Sequence, residues 1–444
     1  MTNHYDTIII GSGPAGSSAA GHLAAGGQQV AIVDHTFGGT CALKGCTPKK
    51  VLAAVSEILR YACKLNGLGI DQQHTTLNWG DLINFKNSFT QPIPMLSKEA
   101  FRSKGIDIIE GAAAFTDEHT ILVNEDHYSA DHFIIATGNR PVELKIDGAG
   151  YLQQATDLFE LSELPASICF IGGGYIAFEF AQILNKAGCE VHILEQSDRP
   201  LKQFEGRHAG MLVKMFLEET VHVHLKAQTN RIEKEDNRFN VLYEFEGNTH
   251  VIRADLVLNA AGRRPNCDAL DLDKADVQYS DKGITTDDFL TTSAPHIYAI
   301  GDVTGKWPFT LSADYEGSVV AYNILHDRRK RVEYNGFPTV LFTSPKLAAV
   351  GYSKDQLEEE GIDYEVSYGS LAEGLMTRSV QEVASDYAVY HQGDKLLGAH
   401  LFSLKADEVI NIFAMAIQHD ISLSALKSTF MTYPSAVSEV RKML

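Results

Sequence analysis

Apolar and polar positions follow two different periods along this chain, and the changes of period mark its elements. Residues 6–10 form a short apolar run, followed by Gly11-Ser12-Gly13-Pro14-Ala15-Gly16, a stretch rich in Ala, Gly and Ser, and a second apolar run over 30–33 that ends in Asp34. Short unbroken apolar runs bounded by glycines read as buried parallel strands, so this segment predicts strand, helix, strand. The same pattern returns over 168–171, Gly172-Gly173-Gly174-Tyr175-Ile176-Ala177, a helix through Lys186, and an apolar run over 191–194 ending in Glu195. Between the two repeats the periodicity predicts helices over 51–65 and 82–104, separated by a polar passage, and strands over 106–114 and 120–123. A buried strand then runs from Phe133 to Ala136 into Thr137-Gly138-Asn139-Arg140-Pro141. The last motif recurs as Ala260-Ala261-Gly262-Arg263-Arg264-Pro265, and a further apolar strand at 297–300 ends in Gly301-Asp302. From Phe337 the pattern changes to strands over 339–343, 348–351, 388–391 and 397–402 with helices over 354–360 and 407–419, which predicts a new domain.

The two glycine turns carry the first chemistry. In a strand-turn-helix unit Gly11 makes the tight turn, Gly13 lets the backbone approach a pyrophosphate, and Gly16 allows close helix packing. The helix N-terminus then faces the phosphates, and Asp34 stands where a carboxylate accepts from a ribose hydroxyl. Ala177 occupies the third glycine position of the second turn, an accepted variant. Two complete fingerprints imply two bound dinucleotides. Glu195 at the second strand end favours the 2'-hydroxyl of NADH over the 2'-phosphate of NADPH, although Arg199 and Lys202 follow closely and can bind a phosphate.

A second chemical signal lies in Gly38-Gly39-Thr40-Cys41-Ala42-Leu43-Lys44-Gly45-Cys46-Thr47-Pro48-Lys49-Lys50, where two of the six cysteines stand five residues apart. A regular helix would separate them by ~7.5 Å along its axis, beyond the ~7 Å reach of a disulfide, so a redox-active pair requires a bent segment. Gly45 supplies a permissive backbone and Pro48 belongs near a helix start. Zinc would need two more closely spaced ligands, whereas Cys63, Cys169, Cys189 and Cys267 are scattered, so no metal site is expected.

Length and charge narrow the classes. The 444 residues suggest about three domains on a prior of ~150 residues each. With 44% hydrophobic and 21% charged residues the composition is that of a globular enzyme, and a net charge of -19 argues against nucleic acid or an anionic membrane as partner. No apolar run reaches the ~18 residues of a membrane span. The chain runs from Met1 straight toward a strand without room for a signal peptide, so the expectation is a cytoplasmic protein, where a cysteine pair is catalytic more often than structural.

The order of first fingerprint, C-x-x-x-x-C, A-T-G, second fingerprint, G-D and terminal domain resembles the flavin-dependent pyridine nucleotide-disulfide oxidoreductases, the family of glutathione reductase, dihydrolipoamide dehydrogenase and mercuric reductase. The resemblance implies an α/β fold with two Rossmann-like domains, for FAD and NAD(P), plus a C-terminal α+β dimerisation domain. Residues 1–141 and 263–335 would bind FAD, 142–262 NAD(P), and 336–444 would form a homodimer interface. FAD would be held by Gly11, Gly13, Gly16, Asp34, Gly39, Thr40, Thr137 and Gly138, with Asp302 on its ribityl chain. The nicotinamide dinucleotide would meet Gly172, Gly174, Ala177, Glu195 and Gly262, with Tyr175 covering the nicotinamide pocket. Cys41 would be the thiol that attacks substrate and Cys46 the thiol against the flavin. Lys50 would sit near flavin N5, paired with Glu179. The activity implied is NAD(P)H-dependent reduction of a small disulfide.

One position departs from the pattern. Disulfide reductases of this family carry His-Pro-x-x-x-Glu near the C-terminus, supplied across the dimer as an acid-base dyad, whereas here the stretch is Tyr433-Pro434-Ser435-Ala436-Val437-Ser438-Glu439. Tyrosine stands for histidine and Glu439 comes one residue late. A phenol with pKa near ~10 does not shuttle protons at neutral pH as imidazole does near ~6.5. Three readings stay open: Tyr433 as hydrogen-bond donor to a leaving thiolate, another histidine such as His419 or His400 in the role, or an acceptor that is not a disulfide. The rivals to small-disulfide reduction are a metal-ion or quinone reductase and a flavin redox sensor with little turnover. The first helix lacks the arginine that glutathione reductases use, which weakens glutathione as substrate.

Overall fold

The computed structural model describes residues 3–72, 76–326 and 330–444. Met1 and Thr2, where the expected absence of a leader would be read, and residues 73–75 of the polar passage lie outside the described residues. Among the described residues no helix is long and apolar enough to cross a membrane. The chain divides into two compact units: Met1–Lys49, Asn84–Glu143 and Gly262–Glu333 in one, and Lys50–Ile83, Leu144–Ala261 and Tyr334–Leu444 in the other.

The first unit is built on a parallel sheet. The strands Asp107–Glu110, Val30–Asp34, Asn3–Ile10 and Asp126–Ile135 lie side by side in that order, and Ile297–Ala299 pairs in parallel with the end of the last. An antiparallel meander, Ala113–Asp117 and Thr120–Val123, continues from the start of Asp126–Ile135. The Pro14–Ala25 helix packs against Thr310–His326, which its Ala and Gly content permits by allowing close backbone approach. The expected strand over 106–114 is two strands, because Gly111 between them takes φ +154° and turns the chain.

The second unit repeats the parallel theme with Val221–Leu225, Glu190–Glu195, Ser167–Ile171, Leu256–Asn259 and Gln153–Gln154. All five residues of Ser167–Ile171 are buried, as expected of a strand covered on both faces. A three-stranded antiparallel sheet, Gln228–Glu235, Arg238–Phe245 and Asn248–Ala254, buries Tyr243, Val241 and Ile252 against Cys169, Ile171 and Leu194. The same unit holds the C-terminal sheet, ordered Thr339–Leu341, Lys346–Gly351, Lys395–Ser403, Asp386–Gln392, Glu365–Ser370, with Ala406–Gln418 packed on it.

The helix expected over 82–104 is two helices, Trp79–Thr90 and Ile93–Ser103. Pro92 lacks the N–H a continuous helix would need, and its ring opposes an α conformation at the preceding residue. The helix expected over 51–65 begins earlier, as Cys46–Lys64, with Pro48 in its first turn where a missing N–H costs nothing.

Candidate active site

The two glycine turns are the same structure made twice. Gly11 takes φ +111° and Gly172 φ +109°, and at either position a Cβ would strike a carbonyl, that of Ala136 or of Ala260. Only glycine fits there. Gly11 N–H donates to Val33 O and Gly172 N–H to Leu194 O, both at 2.8 Å. Ser12 N–H donates to Asp34 Oδ2, and Gly173 N–H to Glu195 Oε2, both at 2.7 Å. Gly13 and Gly174 cap the following helices in extended conformation, and Gly16 and Ala177 are buried in the first turns. Each turn therefore presents its backbone N–H groups at a helix start, with the acid locked to the loop, a set that fits a dinucleotide pyrophosphate and ribose.

Further residues of the first unit complete that set. Gly39 lies so close to Gly13 that a Cβ would meet its Cα, and Ser12 Oγ accepts from Gly38 N–H at 3.1 Å. Thr40 follows Gly39 at the start of the Gly39–Lys44 helix. Thr137 Oγ1–H donates to Asn266 O at 2.6 Å, and Gly138, at φ +70°, accepts from Asn266 N–H at 2.9 Å. This joins the two repeated motifs, whose strands Asn139–Pro141 and Arg263–Pro265 pair antiparallel. Asp302 lies in the short 3-10 helix Gly301–Thr304, whose N-cap is Ile300. Burial pushes its carboxyl up to about 6, opposed by Arg263 and assisted by Cys46. Gly301 N–H donates to the buried Glu316 of the Thr310–His326 helix at 2.6 Å, which fixes the turn.

The cysteine segment is bent as the disulfide geometry required. Gly39–Lys44 is a short helix, Gly45 leaves helical space at φ -133°, ψ -112°, and Cys46 opens the Cys46–Lys64 helix. Both residues carry separate thiols. Thr310 Oγ1–H donates to Cys41 Sγ at 3.1 Å, and the same oxygen lies 3.7 Å from Cys46 Sγ. The neighbouring Cys46 sulfur, and then burial, push the Cys41 thiol far up. Cys46 stands at the N-terminus of its helix, beside that Cys41 sulfur. Thr310 carries no sequence signal, because its place opposite the sulfurs comes from the tertiary fold.

In the second unit Lys50 Nζ stands 3.2 and 3.3 Å from the Glu179 oxygens and 3.6 Å from the centre of the Phe342 ring. Glu179, 2% exposed, also accepts from Phe342 N–H at 2.8 Å. One helical turn on, Gln182 bridges both backbone groups of Ser344. The Phe342 and Gln182 contacts could not be read from sequence, since neither residue belongs to a motif. Tyr175 opens the same helix and is 44% exposed. Gly262 takes φ +118° after Ala260 and Ala261. Arg199 and Lys202 line a cavity of about 600 Å³ with Gly206 and Asp355, and Arg199 is already paired with Asp355 at 2.6 Å.

Tyr433 is 77% exposed, and Glu439 pairs with Lys442. His400 is buried and its Nε2 lies 3.0 Å from the Tyr352 carbonyl, a structural role, while His419 ends the Ala406–Gln418 helix in an exposed position.

Comparison with known proteins agrees with this arrangement. Residues 5–317 match the family model for pyridine nucleotide-disulphide oxidoreductases, and residues 337–444 match that family's dimerisation domain. A mercuric reductase of Staphylococcus aureus is 33% identical over 443 residues, covering 97% of this chain and 80% of that protein. A dihydrolipoyl dehydrogenase of the same organism is 32% identical over 439 residues, covering 97% and 94%. Among solved structures, the Cu(II) complex of the HOCl-induced flavoprotein disulfide reductase RclA from Escherichia coli superposes with a TM-score of 0.89 at 27% identity, over 100% of this chain and 99% of that one. The chain belongs to the pyridine nucleotide-disulphide oxidoreductase family, flavin disulfide oxidoreductases that use FAD and a pyridine nucleotide, and its dimerisation domain supports a homodimer.

Proposed function

We propose that this chain is an FAD-dependent, NADH-oxidising reductase of a small disulfide, acting as a homodimer through Cys41 and Cys46. The observation that carries the reading is the convergence of both sulfurs on the Thr310 hydroxyl. FAD would be held by Gly11, Gly13, Gly16, Asp34, Gly39, Thr40, Thr137, Gly138 and Asp302, in a domain of residues 1–141 and 263–335. The nicotinamide dinucleotide would be held by Gly172, Gly174, Tyr175, Ala177, Glu195 and Gly262, in residues 142–262, with 336–444 as the interface. NADH is favoured because Glu195 lines the ribose position and Arg199 is engaged by Asp355.

When bound, FAD supplies hydride acceptance from the nicotinamide and two-electron delivery to sulfur. The chain's own residues do the rest. Lys50, held by Glu179, would supply a positive charge toward the flavin when it is bound. Cys41, as thiolate, attacks one sulfur of the substrate, whose S–S bond breaks and releases the first product thiolate. Cys46 then attacks the Cys41 sulfur, the second product leaves, and the pair closes as a disulfide, two electrons having passed to substrate. Tyr433 supplies an O–H to the leaving thiolate from the other subunit.

A second reading is favoured by Tyr433 itself: a thiophilic metal ion as acceptor. Reducing a metal ion leaves no thiolate to protonate, so the missing imidazole costs nothing. The similarity to a mercuric reductase and to the Cu(II) complex of RclA is consistent with it.

The test is an anaerobic titration of the oxidised protein with NADH and, separately, NADPH, followed in the visible spectrum. A long-wavelength flavin-thiolate band that vanishes in Cys46→Ser is expected, appearing faster with NADH. Small disulfides, Hg(II), Cu(II) and quinones added to the reduced protein then distinguish the acceptors. Bleaching of flavin with no thiolate band overturns the reading of the cysteines.

A further inference from the structure

The edge of the second unit's parallel sheet carries a cluster that the redox chemistry does not use. In the Val221-His222-Val223-His224-Leu225 strand the histidines alternate with apolar residues, so both point to one face. His222 is the direct cross-strand partner of His192, and Glu190, two residues before His192, shares that face. The result is one carboxylate and three imidazoles gathered across two adjacent strands, under the Tyr243-bearing antiparallel sheet.

The distances suit coordination. Glu190 Oε1 lies 3.2 Å from His192 Nε2 and 3.9 Å from His222 Nε2, and these ligand atoms are all within 4.8 Å of one another. Ligands at ~2.05 Å from a tetrahedral ion stand about 3.35 Å apart, so the Glu190–His192 spacing is already met, the Glu190–His222 spacing is about half an ångström wide, and the two imidazoles have to close from within 4.8 Å. The remaining ring nitrogens are also arranged. His192 Nδ1 faces His224 Nε2 at 3.3 Å, and His224 Nδ1 faces the Tyr243 hydroxyl at 3.3 Å. With Nε2 on a metal, His192 Nδ1–H donates to His224 Nε2, and His224 Nδ1–H donates to Tyr243 Oη. Such a chain orients a ligating imidazole and sets its tautomer. The rings of His192 and His222 stack nearly parallel, 4.7 Å between centroids, so the half-exposed His222 ring turns to bring its Nε2 lone pair onto a shared ion, while His250 stacks on Tyr243 at 5.4 Å.

We propose that Glu190, His192 and His222 form a metal site for a divalent first-row transition ion such as Zn(II) or Cu(II), with His224 and Tyr243 as its outer partners. Two imidazoles and one carboxylate select such ions over Mg(II) and Ca(II), which need several oxygen ligands. Glu190 and His222 are 56% and 46% exposed in their side chains, so the ion has access from solvent, which supplies the fourth ligand.

The test uses the holoprotein carrying Cys41→Ser and Cys46→Ser, which removes the redox thiols as competing ligands. Calorimetric titration should show one Zn(II) per chain, unaffected by excess Mg(II), and Cu(II) should give an electron paramagnetic resonance signal with nitrogen hyperfine structure. Adding Glu190→Gln removes a direct ligand and should weaken Zn(II) by at least the roughly 10- to 100-fold that loss of an outer partner costs. The exposed position of Glu190 leaves the fold intact, checked by an unchanged melting temperature in EDTA. Adding His192→Asn and His222→Gln instead should abolish both the binding and the nitrogen signal. Zn(II) bound with equal affinity by parent and variants, or no binding by the parent at micromolar ion, overturns the proposal.

Discussion

At the scale of single residues, the chemistry follows from which side chains are enclosed and what encloses them. Asp302 is the clearest case, its carboxyl pushed up to about 6 chiefly by burial. A carboxyl raised above its unfolded value of about 3.8 stabilises the fold fully below that value, and the contribution is lost as pH rises through about 6. Asp302→Asn imitates the protonated form. In flavin-stripped protein the variant should therefore gain stability relative to wild type between pH 4 and pH 8, read as the difference in denaturation midpoint at each pH. A difference that stays constant over that range would refute the assignment. The glycine turns and the Cys41–Cys46 pair were legible in the sequence as spacings that chemistry imposes, whereas Lys50 and Glu179, which meet as an ion pair, were legible only through the family resemblance. Thr310, Phe342 and Gln182 were not, since their roles arise only when distant segments fold together.

At the scale of elements, the Cys46–Lys64 helix shows how one segment serves two ends. Its first residue is Cys46, which carries one of the two sulfurs proposed to react, and near its last turn Arg60, 3% exposed in its side chain, bonds Glu382, fully buried, at 3.3 Å and also pairs with Glu219. Lys64 reaches the same Glu382 at 2.9 Å. Removing Glu382 takes the buried carboxylate from both Arg60 and Lys64 and leaves Arg60 only its Glu219 partner, so Glu382→Ala should cost up to about 3–5 kcal/mol in unfolding free energy. Chemical denaturation checks this, and a loss under about 1 kcal/mol would mean the network is solvated in solution. Strongly patterned elements were read nearly to their ends, including Lys354–Glu360, where Ser353 and Gln356 make a capping box. Breaks at Pro92 and Gly111 were missed because apolar periodicity continues across them. The sheet from Gln228 to Ala254 left little periodic signal, since each strand buries only a few positions.

At the scale of the whole molecule, the family's dimerisation domain over residues 337–444 supports a homodimer. If Tyr433 acts across the interface, Cys41→Ser and Tyr433→Ala chains are complementary defects. Each homodimer should turn over a small disulfide at least roughly tenfold more slowly than wild type, whereas hybrids formed by mixing should recover activity at the one site that has both residues. No recovery in verified hybrids would place Tyr433 outside the reaction. The duplicated turn around Gly11 and Gly172 has a consequence of its own at this scale. Each loop is already tied by its own backbone and its own acid, so neither dinucleotide has to order its clasp on arrival. Because that entropic cost is met during folding, and equally at both turns, the clasp gives neither of the two proposed nucleotides a longer stay than the other. Residence time must be set by contacts beyond the pyrophosphate.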